Sequence, residues 1–539
     1  MRMVKTIFIS LGALALISTL YNSEYRSLKA MENEAQRNAN KVKAPSDQPT
    51  SREYVLEIIG MGVSLDKYRQ GSVWKALADG NPYVSIRDMN PQHWPWNRDD
   101  KTMEAGGNAG DSSENAILDT PRYWGVPAFN AEFRYLDKDS LDRPEWPQGG
   151  IAVMRPIMRI PVLAGQELSE RPDRIVEKIF NFFDEHPTVP YVILASSDST
   201  SLRSEHGTPA KSLEDGWYAP EKPNASVVFV LARRERVDSI RPFAFQDLEE
   251  PQPDVDVLNR YGIARRVWLN YLALEKNVPA PLIPYSHDGD RYTRSPTSKE
   301  WLADLALFVN RPDIQEISKT SFHLTHALNK KPRISTHWKP KPWFPVPWNT
   351  EQLEQFDALP TLGFLHRPVF VKMTDNDGKL LKHAEQRQAA LQQGWKAALE
   401  TLPESQRASG PARVIVATGG KTSQLIDFHG LLRRVGDNGV SKFNPDKPTS
   451  FIDVDRRLGD TGATTFFMQT AIGVMGSYRE GGVSAAFNLR DPTEASIIFI
   501  SPPSDEKRKS QHHAIGGDVL RNATVPMIDP KNYEDPIVK

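Results

Sequence analysis

Glu53-Tyr-Val-Leu-Glu-Ile-Ile-Gly-Met-Gly-Val63 is the stretch that decides the fold class of this chain. Its aliphatic and β-branched residues predict a buried strand, and Gly60-Met-Gly62 predicts a glycine turn where that strand ends. Apolar residues at helical spacing follow at once between Tyr68 and Leu77, before Gly80 ends the pattern. A buried strand that leads directly into an amphipathic helix indicates an α/β protein.

The same alternation of strand and helix recurs along the chain. Further strands are predicted at 150–160, 190–195 and 226–231, with a helix at 175–183. A second unit contains strands at 367–373, 412–417 and 496–501 and helices at 378–399 and 422–432. We therefore expect two tandem α/β domains with mixed or largely parallel sheets. The recurring pattern also allows an internal duplication, as in thiolase-like folds, which consist of duplicated α/β units.

Chain length and composition set the predicted domain boundaries. At 539 residues the chain exceeds the roughly 250–300 residues that one core supports. We predict a membrane anchor or signal at 1–24, a flexible linker at 25–51, an N-terminal α/β domain at 52–330 and a C-terminal α/β domain at 351–539. Between the domains, 331–350 is rich in Pro and Trp. Its Trp338, Trp343 and Trp348 are either exposed binding anchors or, as favoured here, side chains packed between domains.

The first residues carry a membrane-targeting pattern. Arg2 and Lys5 precede an uncharged, apolar run at 6–21. As a helix this run is about 24 Å long, against about 30 Å for the hydrocarbon layer. An uncleaved, single-pass inner-membrane anchor is favoured over a cleaved signal because no small-residue cleavage site follows the run. Basic residues after the run favour a cytoplasmic body, with a periplasmic body as the alternative. They are Arg26, Lys29, Arg37, Lys41 and Lys43.

The charge balance and the absence of cysteine exclude several function classes. Lys and Arg number 67 against 68 Asp and Glu, so the chain has no net field that attracts nucleic acid. Without cysteine there are no disulfides, thiolate nucleophiles, iron–sulfur clusters or cysteine-bound zinc.

Two segments offer candidate chemistry. Thr418-Gly-Gly-Lys421 lies between a predicted strand and helix, as a phosphate-binding loop does, but that loop requires glycine where this chain has Ile415. Ser484 lies in a sequence similar to the nucleophile elbow of hydrolases, but Ala486 replaces the glycine that permits the strained turn. A nucleotide-using or hydrolytic α/β enzyme is therefore the alternative function, and structural turns are favoured at both places.

Other candidate sites are weaker still. His323 and His326 have helical spacing without the glutamate of a zinc-protease motif, and His512-His513 lies in a polar segment. Gly60-Met-Gly62 lacks the third glycine of a dinucleotide-binding fingerprint. The sequence therefore predicts no catalytic, cofactor-binding or metal-ligating residue, and no cofactor.

The opening of the body, from Ile58 to Ser64 and through the helix with Trp74 and Leu77, is similar to that of thiolase-like condensing enzymes. Those enzymes use a cysteine nucleophile, which this chain lacks. If the fold is shared, the activity is not.

Taken together, three segments resemble the type VI lipase adapter family. They are Glu53 to Gly71, Ser85-Ile-Arg87 to Trp94-Pro-Trp96, and Ala417-Thr-Gly-Gly-Lys-Thr-Ser423. The resemblance covers roughly residues 50–530 and implies an N-terminal and a C-terminal α/β domain. It implies a non-enzymatic adapter that brings a phospholipase toxin to the VgrG spike of a bacterial type VI secretion system. The expected partners are thus a lipase effector and VgrG.

Overall fold

The structure is a computed structural model that describes most of the body of the chain. It describes residues 55–133, 159–205, 213–247, 263–277, 296–312, 334–335, 337–436, 446–512 and 518–529. The predicted anchor at 1–24 and linker at 25–51 lie outside these residues. Among the helices that are described, none has both the length and the apolar character needed to cross a membrane.

Thirteen strands and thirteen α-helices are found in the described ranges. The strands are β1 Val55–Leu65, β2 Tyr68–Gln70, β3 Gly125–Glu132, β4 Ile160–Leu168, β5 Tyr191–Asp198, β6 Ala225–Ala232, β7 Gly363–His366, β8 Val369–Lys372, β9 Arg413–Ala417, β10 Phe451–Asp453, β11 Ser484–Asn488, β12 Glu494–Ser501 and β13 Asn522–Thr524. The helices are α1 Gly71–Asp79, α2 Arg98–Ile117, α3 Ile175–Glu185, α4 Thr200–Glu205, α5 Ile263–Asn277, α6 Ser298–Phe308, α7 Thr350–Ala358, α8 Ala384–Leu399, α9 Glu404–Ser409, α10 Thr422–Gly436, α11 Val454–Leu458, α12 Thr465–Glu480 and α13 Asp505–Ser510.

All strands belong to one mixed sheet, whereas the sequence predicts separate sheets in two domains. The strand order is β10-β9-β11-β12-β7-β1-β6-β5-β3-β4, with β2, β8 and β13 paired at its sides. The first half (β1–β6) meets the second half (β7–β12) where Val55–Ile58 of β1 pairs antiparallel with β7. The mixed α/β class is confirmed. The sheet is continuous because β1 is long enough to pair with β6 along most of its length and with β7 at its start.

The two halves repeat one strand order. Outward from the centre, the first half runs β1-β6-β5-β3-β4 and the second runs β7-β12-β11-β9-β10. In each half the three outer strands are parallel and the two inner pairings are antiparallel. This repeat agrees with the internal duplication predicted from the recurring strand and helix pattern.

Glycines in β1 allow α2 to lie directly against the strand backbone. A Cβ at Gly62 would be 1.7 Å from the carbonyl oxygen of Ser112, and one at Gly60 would be 2.3 Å from that of Ala116. The prediction of a glycine turn here is wrong, because both residues lie inside β1. Their role is to allow close packing of the helix, since any side chain at these positions would push α2 away from the sheet.

Helix α12 connects the two halves through the core. Every residue from Thr465 to Tyr478 is buried, and the helix packs against β9, β11 and β12 of its own half and β1 and β6 of the other. A helix with apolar residues on every face is stable only when it is enclosed in this way. Its polar side chains form hydrogen bonds with other buried groups. Gln469, for example, donates to the backbone carbonyls of Ile415 and Phe487.

Residues from the C-terminal part of the chain return to the first half. Strand β13 pairs antiparallel with β2, which in turn pairs with β1. The hydroxyl of Ser72 donates to the carbonyl of Ala523 at 2.5 Å. A short exposed strand from the C-terminal part therefore completes one side of the first half.

Substitution of two glycines tests the close contact between α2 and β1. Gly62→Ala should lower the free energy of unfolding by about 3 kcal/mol, since the new methyl group overlaps a backbone carbonyl. Gly107→Ala is the matched control, because Gly107 lies on the exposed face of α2, where an added methyl group would have nothing within 4 Å. The control should gain up to about 1 kcal/mol from helix propensity. Urea denaturation followed by tryptophan fluorescence measures both, and equal effects would contradict the packing argument.

Candidate functional site

The turn at Thr418-Gly-Gly-Lys421 is closed by a carboxylate of the chain itself. The backbone N–H groups of Thr418 and Gly419 donate to one oxygen of Asp455, at 2.6 and 2.9 Å. Gly419 and Gly420 have positive φ angles of 66° and 73°, which turn β9 into α10. The donors that would bind a phosphate are thus occupied by Asp455.

Lys421 does not face this turn as a phosphate-binding lysine would. Its side chain is exposed, and its Nζ donates to the backbone carbonyl of Arg490 at 3.0 Å. The structural interpretation of the glycine turn fits this geometry better than nucleotide binding does.

Ser484 is buried at the start of β11 and is engaged by structural contacts. Its hydroxyl donates to the carbonyl of Gly473 at 2.9 Å, and the guanidinium of Arg413 donates to it at 3.0 Å. Arg413 also donates to the carbonyls of Gly481 and Gly482, just after the end of α12. Burial lowers the pKa of Arg413 to about 10. Ser484 therefore helps to hold the end of α12 and is shielded from substrate.

The predicted histidine candidates do not form a described site. His323, His326 and His513 lie outside the described residues, and His512 is exposed. A different histidine, His366, is buried between the carbonyl of Thr401 and the hydroxyl of Ser501, and burial lowers its pKa to about 4. In the described ranges no three His, Asp or Glu side chains are grouped to hold a metal ion.

Two buried aspartates that the sequence did not single out connect the halves. Asp198, at the end of β5, accepts from the backbone N–H of Ala463 at 2.6 Å and from the guanidinium of Arg203. Asp173 accepts from the hydroxyl of Ser496 at 2.6 Å. Both are fully buried, and each precedes a helix of the first half. Both carboxylates therefore hold the two halves together through internal hydrogen bonds.

A group with a strongly shifted pKa lies on α2. Burial, together with the charge of Asp66, raises the pKa of Glu104 to about 7. Its neighbour Lys101 is buried and donates to the carbonyls of Trp96 and Gly216 at 2.9 Å. Lys101 thus fixes the loop that follows α4 onto α2, which is a structural role.

The tryptophans of the predicted junction are packed in the core. Trp338, Trp343 and Trp348 are all buried. Trp348 meets Trp124 edge to face with ring centroids 5.2 Å apart, and Trp124 donates to the carbonyl of Trp343 at 2.9 Å. Of the two interpretations left open by the sequence, the packing one is correct. These side chains are not available to a partner.

Some large apolar side chains remain exposed at separate places on the body. In the described part of the chain they are Tyr83, Val84, Met89, Met103, Leu307, Leu380, Ile426 and Val525. Tyr83 lies near β10, the strand at one end of the sheet order, because its ring centre is 5.8 Å from the guanidinium carbon of Arg456 on the helix that follows β10.

Two protein-family models match the chain. The model described as Type VI lipase adapter protein Tla3, N-terminal, matches residues 54–215, and the one described as Type VI lipase adapter protein Tla3, C-terminal, matches residues 362–502. Together they match more than half of the chain, one in each half of the sheet.

Solved structures with some similarity include a ketosynthase and an OleA protein. One is the ketosynthase from module 1 of the bacillaene synthase from Bacillus amyloliquefaciens FZB42, with 9% identity, coverage of 85% of this chain and 77% of that chain, and a TM-score of 0.40. Another is an OleA variant from Xanthomonas campestris with cerulenin, with 8% identity, coverage of 84% and 100%, and a TM-score of 0.36. At TM-scores this low, neither similarity supports an inference about the chain.

Removal of the Asp455 carboxylate tests the closed turn. Asp455→Ala should lower the free energy of unfolding by about 1–3 kcal/mol, since the N–H groups of Thr418 and Gly419 lose their acceptor. Lys421→Ala is the control and should change it by less than about 0.5 kcal/mol, because the side chain is exposed. Denaturant titration measures both variants. A larger loss for Lys421→Ala than for Asp455→Ala would contradict the assignment.

Proposed function

The chain belongs to the type VI lipase adapter family, and on that premise we propose that it binds a phospholipase toxin and helps to load it on the VgrG spike of a bacterial type VI secretion system. The observation that carries this proposal is the match of both halves to that family. A loading adapter needs two separate interfaces, each burying about 800 Å² on its own side. A body with two repeated halves offers room for both.

The geometry of the candidate chemical groups supports a binding role over an enzymatic one. Asp455 closes the glycine turn near Lys421, and Ser484 is enclosed by Arg413 and Gly473. Neither group meets the requirement that a nucleophile or phosphate-binding loop be open to its substrate. An adapter requires only exposed surface that is complementary to its partners.

Direct binding and export test the proposal. The purified chain should co-purify with the phospholipase of its own secretion system and with VgrG, and its deletion should abolish export of the lipase. Lys421→Ala and Ser484→Ala serve as controls for the enzymatic alternative; in cells with wild-type amounts of adapter, Lys421→Ala should leave export unchanged. Ser484→Ala, once circular dichroism shows that it is folded, should also leave export unchanged. A chain that binds neither protein would disprove the adapter function.

We also propose that residues 1–24 tether the body to the inner membrane, with the body in the cytoplasm. Five basic residues after the apolar run support this orientation, and loading before secretion requires it. A cytoplasm-dependent fluorescent protein fused to Lys539 should fluoresce, and alkaline phosphatase at the same position should be inactive. Active phosphatase with a dark fluorescent fusion would place the body in the periplasm.

A further inference from the structure

Arg457 on α11 is a buried cation with almost no hydrogen-bond acceptors. Its exposed fraction is 0%, and its Nη2 donates to the backbone carbonyl of Leu77, near the end of α1, at 3.0 Å. Its Nε and Nη1 are also buried, and neither has an acceptor among the residues that the structure describes. Arg457 is therefore kept away from water without the partners that normally compensate for the burial of a charge.

Arg413 shows how another buried guanidinium of the same chain is compensated. Its side chain donates to the hydroxyl of Ser484 and to the carbonyls of Gly481 and Gly482, and its Nη2 lies 3.7 Å from a carboxylate oxygen of Glu480. For Arg457, by contrast, burial alone lowers the pKa, with no carboxylate of the described residues acting against it. The carbonyl end of α1 attracts a cation, but this attraction is weaker than the cost of removing a lone charge from water.

A short loop lies against Arg457. Residues 81–86 follow α1 and contain no helix or strand, and we call them the lid. At the end of the lid, the backbone N–H of Ile86 and the hydroxyl of Ser85 donate to the backbone carbonyl of Arg457, at 2.9 and 3.2 Å. Just before the lid, a Cβ at Gly80 would be 3.1 Å from Nη2 of Arg457. The chain thus contacts Arg457 at both ends of the lid.

The contacts that hold the lid closed are mostly at the surface. Tyr83 and Val84 are 53% and 57% exposed. The hydroxyl of Tyr83 donates to Asp446 at 2.7 Å, in an exposed hydrogen bond. Ile86 is partly buried against the core, so the lid has an apolar contact at its end. Segments with exposed side chains and few buried apolar contacts open locally at low cost.

We propose that residues 81–86 are a conformational lid that opens while the rest of the body stays folded, and that the buried charge of Arg457 favours the opening. The two hinges are Gly80, at the end of α1, and Arg87, whose side chain donates to Asp66 at 2.8 Å. Opening exposes the guanidinium of Arg457 to water. Because only the open state hydrates this charge, Arg457 lowers the free-energy difference between the closed and open states.

Removal of the buried charge tests the lid in the purified full chain. In Arg457→Met, backbone amides of the peptide spanning residues 80–87 should exchange hydrogen roughly 10-fold more slowly, as measured by mass spectrometry, and the midpoint of thermal unfolding should rise. Arg413→Met is the matched control and should lower that midpoint, because several buried acceptors lose their donor. The proposal is overturned if Arg457→Met lowers the midpoint, fails to fold, or leaves lid exchange at least as fast as in the wild type.

A second variant tests the lid without changing Arg457. Tyr83→Phe removes the hydroxyl that donates to Asp446 and keeps the ring beside Arg456. Exchange in the peptide spanning residues 80–87 should become about threefold faster, because one contact of the closed lid is lost. Amides of β5 are the internal reference and should exchange at the wild-type rate. Equal acceleration in β5 and the lid, or no acceleration in the lid, would show that the lid does not open as a separate unit.

Discussion

The backbone contact between α2 and β1 is the constraint on which the rest of the architecture depends. β1 lies at the centre of the sheet, pairs with β6 and with β7, and so belongs to the core of both halves. Gly60 and Gly62 let α2 approach so closely that its carbonyls occupy the space of two side chains. Helix α12 packs against the same two central strands, β1 and β6, and against strands of the second half, while Asp198 accepts a hydrogen bond across the halves.

Local sequence patterns predicted the strands and helices that have a continuous apolar run or one apolar face. They did not predict the helices whose packing depends on residues distant in the sequence. β5, β6 and β9 are continuous apolar runs, and α3 has one clear apolar face, so all four were predicted close to their observed bounds. Helix α2 was missed because its glycines and small polar residues give no apolar period. Helix α12 was missed for the opposite reason, since it is enclosed on every side.

The candidate sites differ in the same way: the sequence shows groups that are close along the chain, but not the partners that come from distant segments. The sequence located the glycine turn at Thr418, but the carboxylate that closes it comes from Asp455, 37 positions away. Asp198 and its partner Ala463 are 265 positions apart. A motif predicts which N–H groups are available as hydrogen-bond donors, and only the fold shows which acceptor binds to them.

The return of β13 to the first half sets an order of events during synthesis. Ser72 and Ala523, which bond in the folded chain, are 451 positions apart. At about 5–20 residues per second, a ribosome takes roughly 20–90 s to produce the second residue after the first. Through that interval β2 has an open edge, and the centre of the sheet lacks the strands and the helix supplied by the second half. A nascent chain of this protein therefore exposes pairing surface for tens of seconds during synthesis, and cellular chaperones have a defined window in which to protect it.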